Sequence, residues 1–272
     1  MAQESDPVAA AGRGSAERAR VAPREELATL ISSHSEEVLF ALLENPLLDE
    51  NLLCILLERK DLTGTLLDEI ARKREWKESY PVRLRLARHP HTPRLVGIRM
   101  VRQLHLFDLV NVSLLPSVPA ELRRITEELI LARLAQLPLG QKMALARRGS
   151  ARVAAALLLN GVEQVVPLAL DNSFLTESQV LKVLSRDDVP PHVVTALGRH
   201  RKWSCLYNVR MALVRQPLTP LARVLSFLPD LTLRDLDELT AAKALSPSLR
   251  QYIRHEVAAR SRRGHSSSRQ AQ

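Results

Sequence analysis

The chain has 272 residues, 46% of them apolar and only 3% aromatic, with a net charge of +9. It is long enough to bury a sizeable interior, which leucine, alanine, valine and isoleucine must fill. No run of 18 apolar residues occurs, so nothing reads as a membrane span, and the first 22 residues, with Glu4, Asp6 and Glu17 and no apolar core, do not read as a secretory signal.

Residues 1–23 lack an apolar stripe and read as a disordered tail. Residues 24–134 read as a first helical unit. Leucine and alanine lose little rotamer freedom in a helix, and no stretch alternates cleanly enough to compete as a strand. The helices are punctuated by polar corners. "ALLENPLLDENLL" from Ala41 and "RLARHPHTPRLV" from Arg85 each end one helix and start the next. In the second, Thr92 reads as an N-cap and Pro93 as the first helical residue. Between the corners lies "KREWKESYPVRLRLARHPHTP", Lys73 to Pro93, the most chemically varied stretch of this unit. A longer helix is expected from about Pro119 to Leu134.

Residues 135–162 read as connecting helices, with Gly149-Ser150 in place of a proline corner. Residues 163–260 then repeat the first unit. An offset of 127 aligns Glu36–Arg133 with Glu163–Arg260 without a gap. Matches include Asn45/Asn172, Arg59/Arg186, Asp61/Asp188, Trp76/Trp203, Tyr80/Tyr207, Arg83/Arg210, Arg88/Arg215, Thr92/Thr219 and Asp108/Asp235. In the second copy, "TESQ" at Thr176–Gln179 reads as a capping box, and Asp188-Val189-Pro190-Pro191, Thr219-Pro220 and Ser246-Pro247 read as helix starts. Residues 261–272 read as a basic disordered tail.

A smaller period sits inside the larger one. Pro46 to Pro90 and Ser173 to Pro217 are each 44 residues, within the HEAT/armadillo range. The fold class expected is all-α: an α-solenoid of stacked helix pairs with an internal duplication. On the "ARxPxTPxxV" corner at Ala87–Val96, and its counterpart at Val214–Val224, the chain resembles HEAT-like and leucine-rich-repeat-variant helical proteins of bacterial type. The resemblance covers about Glu25 to Arg260 and implies a binding surface rather than a reaction.

Charge follows the repeat. Residues 36–71 carry nine acids and two bases, net −7, and residues 72–102 carry ten bases and two acids, net +8. The second copy gives −3 over 163–198 and +6 over 199–229. Equivalent residues of stacked repeats fall in line, so Arg83, Arg88, Arg210 and Arg215 are candidates for a basic ladder toward phosphates or an acidic partner. Arg74 and Arg201, with Trp76 and Trp203, complete the candidate surface; an indole beside cations can stack on a base. The competing reading places both tryptophans in buried inter-helix corners and gives the arginines to helix C-termini and surface pairs.

No GxGxxG, P-loop, HExxH or GxSxG occurs. His89 and His91 flank Pro90, but two imidazoles do not make a metal site. Cys54 and Cys205 read as buried free thiols, in keeping with a reducing cytoplasm. No cofactor is expected. The leading functional expectation is a non-enzymatic, cytoplasmic scaffold that binds a protein partner. The alternative is a nucleic-acid-binding solenoid, with a DNA glycosylase relative as its enzymatic form.

Overall fold

The computed structural model describes residues 7–241 and 247–270, with side chains over 14–241 and 247–260. Among the described residues there are 18 α-helices, four 3₁₀ turns and no strand. The chain divides into two compact units, Met1–Ala132 and Arg133–Gln272.

The first unit runs α1 (Pro7–Val21), α2 (Arg24–Leu30), α3 (Glu36–Leu43), α4 (Glu50–Leu56), α5 (Gly64–Arg72), α6 (Tyr80–Arg88), α7 (Arg94–Val101), α8 (Leu106–Leu114) and α9 (Ala120–Arg133). The second runs α10 (Leu139–Arg148), α11 (Ala151–Asn160), α12 (Val166–Leu170), α13 (Glu177–Leu184), α14 (Pro191–Arg199), α15 (Tyr207–Arg215), α16 (Leu221–Phe227), α17 (Leu233–Ala241) and α18 (Pro247–Gln270). Packing is local in the chain. In the first unit α1 meets α3, α3 meets α5, α4 meets α6 and α6 meets α8. In the second, α10 meets α12, α12 meets α14, α11 meets α13 and α13 meets α15.

The helix starts follow from short polar side chains. Asp49, Thr63, Ser79, Ser150 and Thr176 each accept from a backbone N–H three residues on, satisfying one of the orphan donors of the first turn. The ends of α6 and α15 follow from Pro90 and Pro217. His89 and Gln216, directly before them, are held extended, as the proline ring requires. Thr92 differs from its expected role. Its hydroxyl donates back to Leu86 O at 2.6 Å, and Thr219 donates to Leu213 O at 2.6 Å. Each closes the preceding helix, and Pro93 and Pro220 take the N-cap positions themselves. Ser246 lies outside the described residues; Pro247 opens α18.

The interiors are built from leucine and valine, with Leu42, Leu53, Leu67 and Leu86 in the first unit and Leu157, Val193, Leu197 and Leu213 in the second nearly or wholly removed from water. Each such leucine is worth about 1.5–3 kcal/mol. Two asparagines fasten helix ends inside this apolar setting. Asn45 donates to Ala19 O at 2.9 Å and Ala22 O at 3.0 Å, and accepts from Leu47 N. Asn172 donates to Ala146 O at 2.7 Å and Gly149 O at 3.0 Å, and accepts from Phe174 N. All partners in the two sets are 127 residues apart.

These bonds revise the expected boundaries. Residues 7–21, expected as part of a disordered tail, form α1, whose Ala19 packs with Val38 and Ala41 of α3. Alanine against alanine lets the helices approach closely without the large apolar stripe that a sequence reading looks for. Likewise α10 and α11, expected as connectors, pack on α12 and α13 and belong to the second unit. At the other end, α18 continues to Gln270, past the unit boundary expected at 260 and into residues expected as a basic disordered tail.

Candidate functional site

The eight candidate residues lie within α6 and α15 or in the segments just before them. Each helix follows a 3₁₀ turn, but the turns are out of register: Arg74–Trp76 in the first unit and Trp203–Cys205 in the second. Trp76 therefore ends its turn and Trp203 begins one.

The consequence is a different environment for each indole. Trp203 is 1% exposed, and its Nε1 donates to Leu170 O at 2.8 Å, at the end of α12. The Lys202 ammonium lies 4.1 Å from the ring centroid. Trp76 is part-exposed, and its sheltered Nε1 has no hydrogen-bond partner. Buried corners were expected for both tryptophans; Trp203 occupies one, and Trp76 lines a cleft. The thiols differ too: Cys54 is buried and Cys205, expected buried, is exposed.

The arginines are largely engaged. Arg88 reaches Asp108 at 3.6 Å, Arg210 reaches Asp230 at 2.7 Å, and Arg215 reaches Glu238 at 3.7 Å. Arg83 donates to Lys77 O at 3.0 Å and meets no carboxylate among the described residues. Arg74 and Arg201 are exposed. Three of the four proposed ladder residues thus face acids supplied by later helices or turns, which a count of charge along a short window does not register.

Asp108 and Asp235 are held by the tyrosines that open α6 and α15. Tyr80 donates to Asp108, and Tyr207 to Asp235; the same hydroxyls accept from His105 N at 3.1 Å and Thr232 N at 3.2 Å. Burial, then the bond to Asp108, raises the Tyr80 hydroxyl above its ordinary range. Hydrogen bonds from Thr232 and Tyr207 lower Asp235. Asp235 therefore stays ionised at neutral pH, the state of an acceptor rather than a proton donor. His89 and His91 turn ring nitrogens to Arg59 O and Leu62 O.

Three concave regions hold four of the eight candidates: Arg215, Arg88, and Trp76 with Arg83. In the second unit a groove of about 650 Å³ is lined by Leu184, Arg186, Tyr207, Met211, Arg215 and Asp235. The first unit has a groove of about 290 Å³ over Leu57, Glu58, Leu84, Arg85, Arg88 and Pro90. These positions correspond at the 127 offset to Leu184, Ser185, Met211, Ala212, Arg215 and Pro217, which all line the larger groove. The smaller one is spanned by Arg85 and Glu58, 3.5 Å apart, where the second unit has Ala212 and Ser185.

A separate cleft of about 230 Å³ lies beside Trp76, with Arg72, Lys77, Arg83, Arg99 and Gln103 in its wall. Its counterpart positions carry Phe227 for Met100 and Asp230 for Gln103. Phe227 is buried and Asp230 neutralises Arg210. Lys77, Arg99 and Gln103 in the cleft, and Met211 and Ala212 in the groove, were not among the expected residues. The sequence signal for the cleft is that the positions 127 apart at 99/226, 100/227 and 103/230 differ, where matched positions alone do not reveal it.

Compared with models of known families, with characterised proteins and with solved structures, the chain matches none.

Proposed function

We propose that the protein is a non-enzymatic, cytoplasmic α-helical repeat scaffold of HEAT-like kind, built as two copies of one nine-helix unit, and that it binds a protein partner in the groove of α13, α15 and α17. The observation that carries this reading is the recurrence of a groove at matched positions of both units, with an apolar floor and charges of both signs on its rim. Such a surface suits a polypeptide segment with apolar anchors better than a polyanion. The matched Asn45 and Asn172 bonds, and helices that pack chiefly on near neighbours in the chain, support the duplication and the stacked-repeat architecture. The nucleic-acid reading loses support because Arg88, Arg210 and Arg215 already face carboxylates.

The test uses the bridge that the first unit carries naturally. The double variant Ser185→Glu/Ala212→Arg places an ion pair across the second groove at two positions that are not fully buried. Capture from lysate, with and without nuclease, is compared with wild type, and a thermal melt checks folding. The expected result is a nuclease-resistant protein partner lost in the variant. A partner that disappears with nuclease would turn the reading to nucleic acid, and one retained by the variant would remove the groove from it.

A further inference from the structure

The cleft beside Trp76 combines three features found together nowhere else among the described residues. Four cationic side chains, from the end of α5 (Arg72), the loop after the 3₁₀ turn (Lys77), α6 (Arg83) and α7 (Arg99), line one space of about 230 Å³. No carboxylate lines it. A sheltered indole N–H at its wall has no acceptor. An unpaired buried donor is costly, and several convergent cations repel one another unless an anion joins them.

The cations keep donors in reserve. Arg72 is held by Asp68 at 2.5 Å. Arg83 uses one nitrogen on Lys77 O and Arg99 uses one on Ala71 O at 3.2 Å; a guanidinium has five N–H donors. Among the described residues, neither of these two arginines, nor Lys77, is paired with a carboxylate. The walls are otherwise Ile70, Val82, Leu86 and Met100, so a bound charge meets donors on an apolar floor.

The second unit shows how the same position looks when it is closed. Arg210 makes the bond that Arg83 makes, to the backbone oxygen of the corresponding residue, Ser204, at 2.6 Å. It then adds Asp230 at 2.7 Å. The ring of Phe227 lies beneath Arg210 and Arg223, with guanidinium carbons 5.8 Å and 5.1 Å from its centroid. The indole of Trp203 is satisfied by Leu170 O. In the second unit, then, the protein supplies an anion, a filler and an indole acceptor; in the first, Gln103, Met100 and an unpartnered Nε1 stand in their places.

We propose that this cleft is a binding site for the phosphate group of a small molecule, with Arg83 and Arg99 as its charged clamps and the Trp76 ring in its wall. Convergence of cations from three helices and a loop suits a tetrahedral polyanion, which accepts from several directions at once, and charge-assisted bonds of this kind are the strong ones. The volume admits a phosphate with a small organic fragment. The inference does not rest on the groove assignment.

The chain contains two tryptophans, so the test has an internal control. The full chain is labelled with ¹⁵N and the two indole resonances are followed, with Trp76→Phe assigning them. Inorganic phosphate and pyrophosphate are titrated against sodium chloride and succinate at matched ionic strength. The expected result is a saturable shift of the Trp76 indole by phosphate and pyrophosphate, with Trp203 still. Arg83→Gln and Arg99→Gln each weaken binding by about tenfold or more. Met100→Phe/Gln103→Asp, which copies the second unit, abolishes it, with a thermal melt verifying the fold of each variant. A Trp76 indole that does not move, one that chloride moves equally, tighter binding of succinate, or full affinity in the folded variants would each overturn the proposal.

Discussion

The two units share some residues at positions 127 apart and differ at others, and the differing positions shape their concavities. Across α13 and α15 the groove is open because Ser185 and Ala212 are small; across α4 and α6 it is spanned by Glu58 and Arg85. Beside the tryptophan the pattern reverses. The first unit keeps a cleft lined by Arg83, Arg99 and Gln103, and the second closes the position with Phe227 and Asp230. Retained residues such as Asn45/Asn172 and Thr92/Thr219 fasten helix ends. The residues that differ decide which concavity stays open.

The largest expected difference concerns the tryptophans. Trp203→Ala removes a fully buried ring and its hydrogen bond, and should cost about 3–5 kcal/mol in denaturant unfolding. Trp76→Ala should cost clearly less, because its ring is part-exposed and its N–H leaves no partner behind. Equal losses would mean that both rings do the same packing work and would break the contrast.

The asparagines should instead behave alike. Asn45→Ala and Asn172→Ala each strip a donor from two carbonyls in buried surroundings, at about 1–3 kcal/mol apiece. Chemical denaturation of the single variants measures this. A large loss at one and none at the other would show that the units are fastened differently despite matched geometry.

The smallest effect is a pH dependence confined to the first unit. Burial, opposed in part by the hydrogen bond to Arg59 O, holds His89 below its ordinary pKa; His91 lowers it further and Asp61 acts in the opposite sense. The unfolded chain therefore binds the proton more readily, and stability should fall as pH drops below about 6.5, the unfolded value, until the folded pKa is passed. At the matched position, Gln216 donates to Leu184 O at 2.8 Å and does not titrate. His89→Gln should flatten the fall in stability that begins as pH drops below about 6.5. An unchanged slope would assign the dependence to other groups.

Much of the helical plan could be read directly. The corners at Pro46, Pro90 and Pro217 and the cap at Thr176 are local, so the chain near each residue contains the whole cause. The helix expected from about Pro119 to Leu134 is found at Ala120–Arg133. The first helix escaped because its contact with α3 is made by Ala19 and Ala41, which carry no amphipathic signature. The arginine ladder was read from a short window, and its neutralising partners lie outside that window: Asp108 is 20 residues from Arg88, Asp230 is 20 from Arg210 and Glu238 is 23 from Arg215.

By itself the sequence determined an all-helical chain, the sites of most helix breaks and a 127-residue register of matched residues, because these depend on propensity, caps and proline within a few positions. Tertiary structure alone decided that Trp203 is sealed and Trp76 is not. It also decided that Arg210 is neutralised while Arg83 keeps its charge free of acids, and that one groove is bridged while its counterpart is open. Each of those outcomes turns on a partner 20 or more residues away, and only packing brings such partners within reach.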